Sequence, residues 1–345
     1  MAWIAALILL LGQDDEEQKL LRWLKSDNPM ERVEAAQGLG EIGDADNAPR
    51  IAALLRDDEP QARAAAASAL AKLRSEEHEK DIAALLADKV GIVRAQAIRS
   101  LVDLDAKGRS KEIAAMLKDP EAEVRAEAAK GLAWLGAKDQ AGAVAAAVED
   151  GHPTVRAEAI AGLARLGAKD HVLAAVSRAA DADPAVRAAA ARAVGQLGDK
   201  SHVDPLVPLL KDADDSVRIA AAEALAALGA IKQAKAIAAL LSGSLAEKQA
   251  AMNALVALKA AEAAGDIARL LVDTNPVVRS SAIRALGDLQ AKSYAKDIAK
   301  LLDDVTPCQV YDPKVKAWRK TTIRDIARDV IKGWGMSPSS LRTDK

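Results

Sequence analysis

The sequence predicts an all-α fold, an α-solenoid (superhelix) of about ten two-helix repeats with a 31-residue period, and three observations carry that prediction. First, Arg32, Arg63, Arg94, Arg125, Arg156, Arg187 and Arg218 each stand 31 residues after the last, followed by Lys248 after 30, Arg279 after 31 and Arg324 after 45. Second, apolar residues around these positions recur at i, i+3 and i+4, the stripe of an amphipathic helix rather than the alternation of a strand. Third, half of the 345 residues are apolar, yet there is no Phe and only five Trp and two Tyr. Sheets favour β-branched and aromatic residues, whereas Ala-rich surfaces let helices approach closely.

Taken in order, the elements justify themselves. Residues 1–13, MAWIAALILLLGQ, precede the first repeat. The run is too short for the ~20 apolar residues of a transmembrane helix and matches the ~7–15 residues of a signal-peptide core. No Lys or Arg precedes it and no A-x-A site follows, so a capping helix and an interfacial anchor stay open beside export, with an exported or periplasmic location favoured over a cytoplasmic one. The array runs over 14–335. First helices carry triplets such as Ile51, Leu54 and Leu55, and second helices sets such as Val124, Ala128, Ala129, Leu132 and Leu135. Pro29, Pro60, Pro153, Pro184 and Pro276 precede the repeat Arg by three residues, where proline suits a first helical turn. Asn28, Asp183 and Asn275 are placed to cap. Gly43, Gly136, Gly167, Gly198, Gly229 and Gly335 are placed where a helix ends in a left-handed residue. The 14 extra residues before Arg324 form an insertion at about 303–320. It reads either as a cap, with Pro307, Tyr311 and Trp318 packing over the last helix, or as a binding loop whose candidates are Cys308, Tyr311 and Trp318. Residues 336–345 are expected to be disordered.

The pattern D-x-x-P-x-V-R-x-x-A-A-x-A-L-x-x-L-G resembles the HEAT repeat, in the short bacterial form first associated with phycobilisome lyases. The likeness covers about 14–335. It implies a solenoid whose second helices line the inner curve. It also implies that the repeat Arg and the Asp six residues before it (Asp57, Asp88, Asp119, Asp150, Asp181, Asp212, Asp273) form a ladder of hydrogen-bonded charges between turns.

Catalytic chemistry is not evident. The formal charge of −2 gives no basic bias toward nucleic acid, and one cysteine excludes an intramolecular disulfide or a Cys-based zinc site. No nucleophile elbow, Walker loop or G-x-G-x-x-G fingerprint occurs. Deoxyhypusine hydroxylase, which resembles this fold, holds iron through His-Glu pairs; the matching places here read Val33-Glu34, Ala126-Glu127 and Ala157-Glu158, without histidine. His78, His171 and His202 share one repeat phase, that of a polar residue opening a first helix, and stacked helices lie too far apart for two of them to share an ion. No metal and no cofactor is expected. The function expected is a non-catalytic scaffold or adaptor for a protein or peptide. The alternatives are a lyase-like enzyme subunit using the insertion around Cys308 and, more weakly, a nucleic-acid-binding solenoid.

A partner on the inner face would meet the residues two, five and nine places after each Arg, which lie opposite the buried stripe. The candidates are Arg99, Lys130, Trp134, Arg165, Arg192 and Gln196, with Gln96, Asp103, Glu127 and Glu158 beside them. Later repeats offer only Ala220, Ala227, Ala250 and Ala257 there. Trp134 stands where other repeats hold Glu41, Lys72, Asp103, Gln196 and Asp288. It reads either as a partner's anchor or as a cation–π platform for Arg165. The nearly balanced charges predict a mixed-charge protein or peptide rather than a polyanion.

Overall fold

Each repeat is built outward from the start of its second helix. In α2 (Pro29–Ile42) proline occupies the first turn, where its missing N–H costs nothing, and the Asn28 side chain accepts from the Met30 amide at 3.0 Å. Asp183 and Asn275 cap their helices in the same way. The computed structural model describes residues 15–312 and 317–341, without the side chains of 310–312 and 317. The apolar segment 1–13 therefore lies outside the described residues.

Two compact units divide the chain, 1–174 and 175–345. In unit one a helix α1 (15–23) is followed by α2, α3 (Ala48–Ala52), α4 (Pro60–Lys72), α5 (Glu79–Ala84), α6 (Gly91–Asp103), α7 (Ser110–Ala115), α8 (Ala122–Trp134), α9 (Ala141–Ala146) and α10 (Pro153–Leu166). The short α11 (Val172–Val176) straddles the boundary. Unit two holds α12 (Pro184–Leu197), α13 (Asp215–Ala227), α14 (Ala234–Ala238), α15 (Leu245–Ala257), α16 (Ala264–Ala268), α17 (Pro276–Asp288) and α18 (Ala295–Ala299). A hairpin, β1 (Pro307–Asp312) with β2 (Ala317–Thr322), and α19 (Ile323–Gly333) complete it.

Second helices stack on one another, α2 on α4, α6, α8 and α10 in succession, and in unit two α12 on α13, α15, α17 and α19. Short first helices pack on the second helix that follows. The core is a column: Leu39, Leu70, Leu101, Leu132 and Leu163, one per turn of the array, are all fully buried, each worth ~1.5–3 kcal/mol of burial. Small residues set the spacing. A Cβ added to Gly40 would lie 2.9 Å from Ala69 Cα, and one on Gly195 2.7 Å from Ala224 Cα, so these helices touch through their backbones.

The charge ladder is present in both units. Arg32 grips the Asp57 carboxylate with Nε and Nη2 at 2.7 and 2.8 Å and donates Nη1 to the Ser26 carbonyl. Arg63 grips Asp88 and reaches back to the Asp57 carbonyl, and Arg94 does the same with Asp119 and Asp88. Each Asp thus joins two arginines and also accepts from the amide two residues on, as Asp57 does from Glu59. In unit two Arg187 holds Asp212, Lys248 holds Asp273 and Arg279 holds Asp304. Arg218 breaks the pattern: Gly243 stands where the Asp would be, and Glu247, from the first turn of α15, reaches its guanidinium instead at 2.6 Å.

Five features depart from the expectations. First helices are not continuous; a short α-helix tightens into a 3₁₀ turn, as Ala48–Ala52 passes into Ala53–Arg56, which satisfies terminal carbonyls within a short repeat. Before α13 the first helix is 3₁₀ throughout (Lys200–His202, Asp204–Leu206, Pro208–Lys211), because Pro205 and Pro208 remove two backbone donors. Gly198 is extended (φ −82°, ψ −175°), unlike Gly43, Gly136, Gly167, Gly229 and Gly335, which are left-handed; a Cβ on Gly198 would meet the Val194 carbonyl at 2.6 Å. The insertion is an antiparallel hairpin that puts β1 against α17 and β2 against α19. Within 336–345, expected to lack structure, Pro338–Leu341 form one 3₁₀ turn.

Candidate partner-binding face

Residues two, five and nine places after the Arg fall on one side of the second helices, and in unit one that side is polar and open. Arg99 on α6, Lys130 and Trp134 on α8, and Arg165 on α10 all reach solvent. Trp134 is 56 % exposed, and the Arg165 guanidinium lies over its ring, 3.4 Å from the centroid. Ninth-place residues of successive helices meet in this way more than once: Lys72 and Glu41 pair across α4 and α2. The stacking that the sequence suggested for Trp134 is therefore real, and it leaves more than half of the indole accessible.

On the same face, with Lys130 one turn before Trp134 in its lining, lies a cleft of about 370 Å³, lined by residues including Arg99, Glu123, Glu127, Lys130, His152 and Glu158. Arg99 pairs with both Glu123 and Glu127 at 3.1 Å, and Lys130 approaches Glu127 at 4.0 Å. A second cleft on the same unit, about 610 Å³, is lined by residues including Glu34, Gln37, Glu41, Gln61, Lys72 and Gln96. The two adjoin on α6, where Arg99 donates to the Gln96 side chain at 3.3 Å. Sequence reasoning missed the residues two places before each Arg, Gln61, Ile92, Glu123 and Thr154, which line these clefts. The signal was available, since four residues separate positions −2 and +2 and one helical turn brings them to the same face.

Arg192 and Gln196 are exposed on α12, in unit two. Ala220 and Ala250, expected on the same face there, are buried instead, since a methyl group at these positions is covered by the neighbouring helices. In the insertion, Cys308 is buried and burial pushes its thiol pKa up, which holds it protonated and opposes a nucleophilic role. Strand alternation turns Pro307 and Trp318 outward, Trp318 to 68 % exposure, so neither is the packing residue a cap requires. Tyr311 is the register partner of Trp318; its side chain lies outside the described residues.

Two of the histidines serve their own turns. His78 meets the Ser75 hydroxyl at 2.8 Å, and His202 lies 3.1 Å from Asp199. Among the described residues no group of three His, Cys, Asp or Glu is placed to hold a metal ion, and no helix is long and apolar enough to cross a membrane.

The family profile for HEAT repeats matches residues 17–102, 110–178 and 170–248, and that for the PBS lyase HEAT-like repeat matches 278–304. A comparison with curated proteins returns no match. Among solved structures, an engineered protein is similar at 21 % identity over 92 % of this chain and 98 % of its own, with a TM-score of 0.51. YibA of E. coli is similar at 20 % identity over 78 % and 96 %, with a TM-score of 0.54. The complex of CpcE and CpcF of phycocyanin lyase from Nostoc sp. PCC7120 gives 22 % identity, 71 % and 94 % coverage and a TM-score of 0.43. At such identities the first two likenesses speak for the fold alone.

Proposed function

Since this chain belongs to the HEAT-repeat family, we propose that it is a non-catalytic scaffold that holds a protein or peptide partner against the second-helix face of unit one. The observation that carries this reading is Trp134, more than half exposed yet fixed by Arg165, one helical turn beyond Lys130, which lines an open cleft. Orienting a large aromatic costs a partner little when the ring is already held, and Trp with Arg dominates interface hot spots. The buried, protonated Cys308 supports the scaffold over an enzyme that uses the insertion. Arg192 and Gln196, exposed on α12, are proposed as contacts on unit two in their own right.

The test compares the full chain with a W134A/R165A variant, each immobilised and exposed to extract of its source cells, and then titrated with the partner recovered. The scaffold reading expects a stoichiometric protein whose affinity falls at least tenfold in the variant, with the melting temperature unchanged within a few degrees. A partner indifferent to the variant would remove Trp134 and Arg165 from the site.

A further inference from the structure

We infer that the occupant of unit one's face is an extended, cationic peptide segment, about a dozen residues long, lying across α2 to α10; this deepens the scaffold reading and rests on it. The two clefts adjoin and use the same phases of successive second helices, so together they form a trough running from helix to helix. With neighbouring helices ~8–10 Å apart, four spacings span roughly 32–40 Å. An extended chain rises ~3.3 Å per residue, so about 10–12 residues fill it.

Charge selects the occupant. The trough carries two more carboxylates than cations. Glu41 is matched by Lys72, and Glu123 and Glu127 share Arg99 and Lys130. Glu34 and Glu158, toward opposite ends, make no ion pair among the described residues. Lys or Arg side chains of a bound segment would reach these two, whereas an acidic segment would face them unscreened. Between them, Gln37 and Gln61 are exposed on the walls, over a floor that includes Gly38, Ala64 and Ala65. Carboxamides both donate and accept, which suits the peptide main chain of an extended segment whatever its side chains. A floor of small residues lets that main chain approach.

The experiment uses the full chain and three fluorescein-labelled twelve-residue peptides, (Ser-Lys)6, (Ser-Gln)6 and (Ser-Glu)6, with the six-residue (Ser-Lys)3 as a length probe, followed by anisotropy at 50 and 150 mM salt. The expected result is that (Ser-Lys)6 binds at least tenfold more tightly than the other two twelve-residue peptides and than (Ser-Lys)3. An E34Q/E158Q variant should lose about tenfold, while E76Q/E262Q, the same charge change on exposed first-helix positions, should bind as wild type. Equal or tighter binding of (Ser-Glu)6 or (Ser-Gln)6 would overturn the inference, as would equal losses in the two variants, which mark diffuse attraction. A captured partner that depends on Trp134 but is not displaced by (Ser-Lys)6 would sink this inference and leave the scaffold standing. Peptide binding as expected beside a partner indifferent to W134A/R165A would remove Trp134 and Arg165 from the site and leave this inference standing.

Discussion

Arg94 and Asp119 show what one rung of the ladder is worth. Both are buried, joined through two bonds of 2.7 Å, and Arg94 also donates to the Asp88 carbonyl while Asp119 accepts from the Glu121 amide. Removing one partner strands a buried charge, which costs ~3–5 kcal/mol, whereas replacing both by apolar residues recovers much of that. We expect R94M to be the worst variant and D119N, which keeps an acceptor for the turn, to be milder. R94M/D119L should lie closer to wild type than R94M, apart from ~1 kcal/mol for the lost turn cap. Urea unfolding of the four proteins tests this order, and a loss below ~1 kcal/mol in R94M would show the pair to be ornamental. Rungs of this kind were legible in the sequence, because an Asp six places before one Arg in a 31-residue period lies 25 places after the previous one. Glu247 was not, because the residue at the rung position is Gly243 and the replacement comes from a longer side chain one turn further on. On the face itself, Trp134 and Arg165 were readable from their shared ninth place, while Gln61, Ile92, Glu123 and Thr154 escaped a reading that counted only forward from the Arg.

Helix ends give the sharper lesson among the elements. Eleven places after the repeat Arg the chain turns left-handed, and five glycines do so at φ between +66° and +83°. In other repeats Arg74, Asp105, Lys259 and Gln290 take the same turn with φ of 52–56°, although a side chain there costs ~1–2 kcal/mol. Glycine also loosens the unfolded chain, so K259G should stabilise by about 0.5–1 kcal/mol and G167A should destabilise by a similar amount. Thermal melting of both variants checks the pair, and a destabilising K259G would place the determinant of this turn elsewhere. The hairpin was the element least visible beforehand. Its strands are six residues each, and no Asn-Gly or Asp-Gly pair, the strongest short-range hairpin signal, lies between them. Periodicity located an insertion there by arithmetic and was silent on its form, since that form depends on Cys308 turning inward and on support from α17 and α19.

Across the whole molecule the same rung recurs, and this makes acid stability a collective property. Repeat arrays gain stability roughly as a sum over neighbouring interfaces, so a small proton linkage at each rung adds up along a unit. Hydrogen bonds from Arg32, Arg125, Arg187 and Lys248 hold the carboxyls of Asp57, Asp150, Asp212 and Asp273 below the usual aspartate range. A carboxyl depressed in the folded state stabilises fully above its unfolded pKa, ~3.9, and loses that contribution as pH falls through the folded value. Stability set by these rungs should therefore change little from pH 8 to 5, begin to fall near pH 4 and continue to fall below it. Because the pairs are mostly buried, 0.5 M salt should move this profile little, unlike one set by surface pairs. The check is urea unfolding at intervals from pH 8 to 2.5, on wild type and on D57N/D150N/D212N. That variant should be less stable at pH 7 and should depend less on pH below 4, since it has three fewer depressed carboxyls to protonate. A wild-type decline already complete between pH 7 and 5, or a variant with the full wild-type slope, would mean that groups outside the ladder govern acid unfolding. The period that exposed the fold in the sequence is thus also the reason its acid response should be collective: one depressed carboxyl, copied along the array, is protonated many times below pH 4.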